Sequence, residues 1–137
     1  MQHLLQAGVT VPRAVAVQGL ALVMEFIGGD SGSPAARISD LRMEPGEAHE
    51  AFRQSVENLK RMAASGRVHG DYSTFNILWH AGRAVVIDFP QVMKIRHNPN
   101  ARLFLERDVH ALCTSFARQG VQAVEAEVLR EVRRVMR

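Results

Sequence analysis

The sequence predicts an α+β fold, mainly helical with one small β hairpin, and three observations predict it. Phe52, Val56, Leu59 and Ala63 recur at helical spacing on one face. Asn76-Ile77-Leu78-Trp79 and Ala84-Val85-Val86-Ile87 are apolar, partly β-branched runs joined by His80-Ala81-Gly82-Arg83, which predicts a hairpin. Two more apolar stripes predict two closing helices, one through Val109, Leu112, Cys113 and Phe116, the other through Val124, Val128, Val132 and Val135.

The first eight residues are expected to end a helix that Gly8 stops, and Pro12 marks an extended entry. Val15-Ala16-Val17 and Leu20-Ala21-Leu22-Val23-Met24-Glu25-Phe26 then read as two strands, with Gln18-Gly19 as the tight turn. Gly28-Gly29-Asp30-Ser31-Gly32-Ser33-Pro34 is the linker-like stretch, a natural hinge between a strand-rich start and a helix-rich remainder. The helix bearing Phe52 is expected to begin at Glu44, where Glu44 and Glu47 favour the positive end of its dipole. Lys60 and Arg61 suit its other end, and Gly66 stops it. Gly120 separates the last two helices.

Composition bounds the function classes. A chain of 137 residues with 47% hydrophobic content can form one compact unit with a real core. Its single cysteine, Cys113, excludes a disulfide framework within the chain and a cysteine-rich zinc site. Cys113 sits in an apolar helical pattern and reads as a small buried hydrophobe. No run is long and apolar enough to span a bilayer, and the start lacks the pattern of a signal peptide. A soluble, cytoplasmic chain is expected. The formal charge of +3 permits an anionic partner such as a nucleotide or RNA without demanding one. Arg130, Arg133, Arg134 and Arg137 read as a solvated helix face, and no aromatic residues are interleaved with them.

The chemistry concentrates in Val68-His69-Gly70-Asp71-Tyr72-Ser73-Thr74-Phe75-Asn76 and Val86-Ile87-Asp88-Phe89-Pro90-Gln91. A polar loop offers Asp71 and, five residues on, Asn76 at the entry to the hairpin; Asp88 follows its exit. Three oxygen-bearing side chains can therefore converge at one end of a small sheet. Such oxygens suit Mg²⁺, which takes a few protein ligands and completes its shell with phosphate and water. A remaining carboxylate can orient a hydroxyl and accept its proton. Asp and Asn also occur in ordinary turns, but His69, Asp71, Asn76 and Asp88 together make a pattern that turn chemistry alone does not require. His69 is expected to pack and to hydrogen-bond the backbone.

His-x-Asp-x-x-x-x-Asn, a hairpin and then an Asp resembles the catalytic and metal-binding loops of the protein-kinase-like fold. Two departures narrow it. Phe-Pro-Gln follows Asp88 where conventional kinases have Phe-Gly, and an activation segment ending in Ala-Pro-Glu is absent. The run from Ile87 through His97-Asn98-Pro99-Asn100-Ala101 to Phe104-Leu105-Glu106-Arg107-Asp108-Val109 resembles the RIO kinases, most of all their RIO2-type subfamily. Ala7-Gly8-Val9-Thr10-Val11-Pro12 and Leu22-Val23-Met24-Glu25-Phe26-Ile27-Gly28 resemble that family's approach to its hinge.

The resemblance implies a kinase C-lobe over residues 28–137, preceded over residues 1–27 by a remnant of the N-lobe sheet and the hinge. It implies Asp71 as the catalytic aspartate, and Asn76 and Asp88 as Mg²⁺ ligands between the phosphates of ATP. Met24 would sit behind the adenine, Glu25 and Ile27 would offer it backbone groups, and Ser73 would lie near the phosphates. Asp108 would brace the catalytic loop, the plainer reading of Arg107-Asp108 being a charge pair at a helix start. The activity implied is ATP-dependent phosphoryl transfer to protein serine or threonine, or ATP hydrolysis as a switch. A glycine-rich loop is not found before Met24, and no lysine occurs before Lys60. Weak or absent activity is therefore expected of these residues alone. Two other readings stand beside it. One is a pseudokinase-like scaffold whose exposed lobe a partner or second copy covers. The other is a small-molecule phosphotransferase of the aminoglycoside-kinase type, against which Pro90-Gln91 and the Asn-Pro-Asn-Ala run argue. A ribosomal or nucleic-acid connection is left open.

Overall fold

The computed structural model describes residues 1–89 and 93–136. Helix α1 (Gln2–Gln6) is short, and Gly8, at φ +78°, turns the chain so that the Val9 amide returns to the Leu4 carbonyl at 3.0 Å. Leu4 and Val9 are buried. The following extended stretch lies along the later hairpin, because the Val86 amide donates to the Thr10 carbonyl at 2.8 Å.

Strands β1 (Ala14–Gln18) and β2 (Ala21–Met24) form the expected antiparallel hairpin around Gly19, at φ +57°. Val15, Val17, Leu22 and Val23 are all exposed, so neither face of this two-stranded sheet meets a core. The linker-like stretch is itself pinned. Gly29 donates to the Ser33 carbonyl at 2.9 Å and Ala35 to the Ile27 carbonyl at 2.9 Å. It delivers β3 (Ala36–Arg37) and a 3₁₀ turn, Ile38–Asp40.

Helix α2 (Pro45–Ala64) is the spine. Glu44 stands at its N-cap, Pro45 occupies the first turn, where its missing N–H costs nothing, and Glu47 faces the dipole. Val56, Leu59 and Ala63 are buried as their spacing requires, and Phe52 packs edge-on against Phe116 with centroids 5.2 Å apart. Beyond Gly66, at φ +75°, come β4 (Arg67–Val68), β5 (Ile77–His80), β6 (Arg83–Val86) and β7 (Met93–Lys94). A three-stranded sheet runs β3-β5-β6, and β4 pairs with β7 in a second, two-stranded one. Helix α4 (Glu125–Val135) packs on α2 and on α3 (Ala101–Ala117), and Leu105, Val109, Leu112, Phe116, Val128 and Val132 are buried. Burial pushes the Cys113 thiol up to about 11, so it packs as a neutral group.

Two amide side chains, the buried Asn58 and the half-buried Gln119, join these parts. Asn58 on α2 accepts from the Thr10 amide at 2.9 Å and donates to the Ala84 carbonyl at 3.2 Å. Gln119 accepts from the Met43 amide at 3.2 Å and donates to the Ile38 and Leu41 carbonyls, each at 2.8 Å.

Candidate phosphoryl-transfer site

The loop after β4 has little regular structure of its own, so its shape is set by bonds from elsewhere. Asp108, buried in the middle of α3, accepts from the Gly70 amide at 2.9 Å through Oδ2 and from the Tyr72 amide at 2.9 Å through Oδ1. Burial pushes its carboxyl up from the ordinary value, and those two amides pull against that shift. Asp108 is thus seven residues into the helix and not at its start. Tyr72 is fully buried and donates its hydroxyl to the Ser55 carbonyl at 2.8 Å, which ties the same loop to α2.

His69 is also buried, between Tyr72 and Phe89, each with its ring centroid 5.5 Å away. Its Nδ1 accepts from the Asp71 amide at 3.2 Å, and its Nε2 faces the Ile87 carbonyl at 3.2 Å. These partners call for the neutral Nε2–H tautomer. The imidazole therefore holds the loop to the end of the hairpin and presents no free nitrogen to a substrate.

Asp71 is left exposed at the tip. Asn76, nearly buried, donates through Nδ2 to the Asp71 carbonyl at 2.8 Å and to its carboxylate at 3.1 Å. The Asn76 side-chain oxygen makes no hydrogen bond among the described residues. The register of β5 and β6 pairs Ile77 with Val86, and the Ile87 amide donates to the Asn76 carbonyl at 2.9 Å. Asp88 is the next residue, so Asn76 and Asp88 leave the same end of the hairpin. Asp88 adopts φ +62°, a left-handed backbone that non-glycine residues rarely take and that collects at functional sites. Its carboxylate is exposed and has no ion-pair partner among the described residues.

Among the described residues no three His, Cys, Asp or Glu side chains come together as a metal site. One amide oxygen and one exposed carboxylate at a shared hairpin end are instead a donor set that suits Mg²⁺, which binds few protein oxygens. Ser73 is occupied locally. It is nearly buried, and its hydroxyl accepts from the Phe75 amide at 3.3 Å, capping the turn Thr74–Asn76.

A cleft of ≈ 610 Å³ adjoins the hairpin end, lined by Pro12, Met24, Glu25, Ile27, Leu78 and Ile87 among others. The Glu25 amide is used by the Arg13 carbonyl at 2.8 Å, and the Ile27 carbonyl by Ala35 at 2.9 Å. That leaves the Glu25 carbonyl and the Ile27 amide without backbone partners among the described residues, one acceptor and one donor from residues that line the cleft. Ile87 lines the cleft while bonding both His69 and Asn76, so the cleft and the polar loop share one residue. Sequence reasoning missed Ile87 in this part. Its signal was the residue's place, one before Asp88. The Phe-Pro-Gln departure runs into residues 90–92, outside the described ones, as does Arg137.

A helical lobe with this loop clamp, hairpin and hinge has the protein-kinase-like α+β fold, and the comparisons with known proteins agree. The RIO domain family model matches residues 1–129. The RIO-type serine/threonine-protein kinase Rio1 of Haloferax volcanii is 43% identical over 119 residues, 86% of this chain and 39% of that protein. Serine/threonine-protein kinase RIO3 of Homo sapiens is 32% identical over 123 residues, 89% of this chain and 23% of that protein. The Rio1 kinase of Thermoplasma acidophilum is 33% identical over 116 residues, 85% of this chain and 59% of that protein. The chain belongs to the RIO domain family. It spans about two-fifths of the Haloferax relative. Rio1, RIO3 and RIO2 proteins all match it, so the family is shown and the RIO2-type branch is not singled out. No helix among the described residues is long and apolar enough to cross a membrane.

Proposed function

We propose that this chain carries the catalytic side of an ATP-dependent phosphoryl transfer to protein serine or threonine, or to water when it works as a switch. The observation that carries the reading is the joined arrangement of Asp71, Asn76 and Asp88 at one hairpin end, beside a cleft with an unused donor and acceptor. Residues 1–27 serve as the N-lobe part and hinge, residues 28–137 as the C-lobe, and the site of action is cytoplasmic. Met24 backs the adenine, and the Glu25 carbonyl and Ile27 amide bond its edge. The Asn76 side-chain oxygen and the Asp88 carboxylate hold Mg²⁺, which when bound neutralises phosphate charge. Asp71, steadied by Asn76, orients the acceptor hydroxyl and takes its proton. Ser73 supports the same turn and through it the approach to the phosphates.

With no lysine before Lys60 to meet the phosphates, turnover by this chain is expected below the ordinary kinase range of about 1–100 s⁻¹. Transfer from γ-labelled ATP, with product analysis on protein and small-molecule acceptors, tests the reading. Slow appearance of phosphoserine, phosphothreonine or free phosphate is expected. Label on an aminoglycoside-type acceptor would contradict it. The uncovered β1–β2 hairpin favours one other reading, a non-catalytic module covered by a partner or a second copy. A folded chain that binds Mg-ATP and never transfers phosphate would support that module instead.

A further inference from the structure

A depression of ≈ 900 Å³ shares no lining residue with the nucleotide cleft. It runs between the turn Ile95–His97 and the facing sides of α3 and α4, with Arg96, His97, Arg102 and Arg133 in its lining. A second depression of ≈ 460 Å³ shares Arg96 and His97 with it and adds Arg67 and Lys94. The two form one strip with five Lys or Arg side chains and no Asp or Glu in its described lining. The acid that reaches it is Glu106, which bonds Arg133 from α3. Across the whole chain, 17 Lys and Arg face 14 Asp and Glu, so this one-sided lining is not an average surface. Lys94, Arg96, Arg102 and Arg133 are exposed, which is how a strip that recruits an anionic partner is built.

The strip begins beside the catalytic loop. Arg67 pairs with Lys94 across β4 and β7, and β4 leads straight into His69, Gly70 and Asp71. Arg67 stands four positions before Asp71, at most about 14 Å of chain. An extended segment with its hydroxyl at Asp71 therefore reaches the strip within about four or five residues. No Phe, Tyr or Trp lines either depression among the described residues, and His97 is the one aromatic ring there. Base stacking, which supports single-stranded nucleic-acid binding on successive aromatic rings, would have that single imidazole to work with.

We propose that this strip docks an acidic segment of the protein acceptor, rich in Asp, Glu or phosphorylated residues, a few positions from the acceptor hydroxyl. The proposal rests on the phosphoryl-transfer reading for its acceptor, but docking itself is read without ATP.

The test uses fluorescence anisotropy with the full chain and three labelled probes. One is a serine peptide flanked by Glu and Asp, the second is the same peptide with Gln and Asn in their place, and the third is a single-stranded RNA of equal charge. The acidic peptide is expected to bind, the neutral one at least about tenfold more weakly. Lys94→Glu with Arg96→Glu, both exposed changes, should abolish the difference, while Asp71→Asn leaves it unchanged. Arg102→Glu, on a different element, should repeat the loss if the first pair harms folding. Equal binding of the acidic and neutral peptides overturns the proposal. So does RNA binding that those variants remove when peptide binding is absent. Docking that persists in a chain with no phosphoryl transfer would strike the functional reading alone. Transfer without acidic preference would strike this inference alone.

Discussion

Asp71→Asn is expected to lower phosphoryl transfer by about 10²–10⁴-fold, the range that a positioned general base contributes. The substitution isolates the chemistry. An Asn at this position keeps an oxygen for the Asn76 amide, which now lies 3.1 Å from the carboxylate. It also keeps the main-chain carbonyl that Asn76 bonds at 2.8 Å. The loop is held from below by His69 and Asp108, neither of which touches the Asp71 side chain. Mg-ATP affinity should therefore change little while initial rates of label transfer collapse. A variant that transfers phosphate at the parent rate would remove Asp71 from the chemistry.

Asp108→Ala is expected to be among the most damaging single changes to stability. It strips the acceptor from two amides, those of Gly70 and Tyr72, in a place where the carboxylate is 1% exposed. Each orphaned buried donor costs about 1–3 kcal/mol, so the change should cost about 2–6 kcal/mol. That is a large part of the roughly 5–15 kcal/mol that separates folded from unfolded domains. The check is the urea midpoint, together with hydrogen exchange at the Gly70 and Tyr72 amides. Asp108→Asn keeps one acceptor and turns an NH₂ towards the other amide, so it should fall between. An unchanged midpoint and unchanged protection in Asp108→Ala would mean that the clamp contributes nothing.

How much of this was legible in the sequence depended on length and period. The spine helix was readable because Val56, Leu59 and Ala63 repeat over several turns and end at a glycine. The hairpin through Ile77 and Val86 was readable because its turn residues sit between two β-branched runs. The strands β3, β4 and β7 were not, since two residues have no period. They exist because distant segments supply their partners. The β1–β2 pattern was legible as strands from its β-branched runs and turn glycine, whereas the exposure of Val15, Val17, Leu22 and Val23 was not.

Within the site, Asp71, Asn76 and Asp88 stood out by residue type and spacing. Their joining through the Asn76 amide and the Ile87 backbone did not. Asn58 and Gln119 did not stand out in the sequence. A polar side chain on the buried face of α2, beside Ser55, was the available sign that Asn58 satisfies backbone groups elsewhere.

The central claim is that the end of the β5–β6 hairpin holds a metal–nucleotide complex through Asp88. Calorimetric titration of Mg-ATP into the chain, with Asp88→Asn beside it, tests this most directly. Asn tolerates the left-handed backbone that Asp88 adopts at φ +62°, so the variant removes charge without forcing the turn. The account predicts that the parent binds Mg-ATP, that Asp88→Asn weakens it by about tenfold or more, and that the gap closes when Mg²⁺ is chelated. Equal affinity of parent and variant for Mg-ATP, or no binding by a chain shown to be folded, would contradict it.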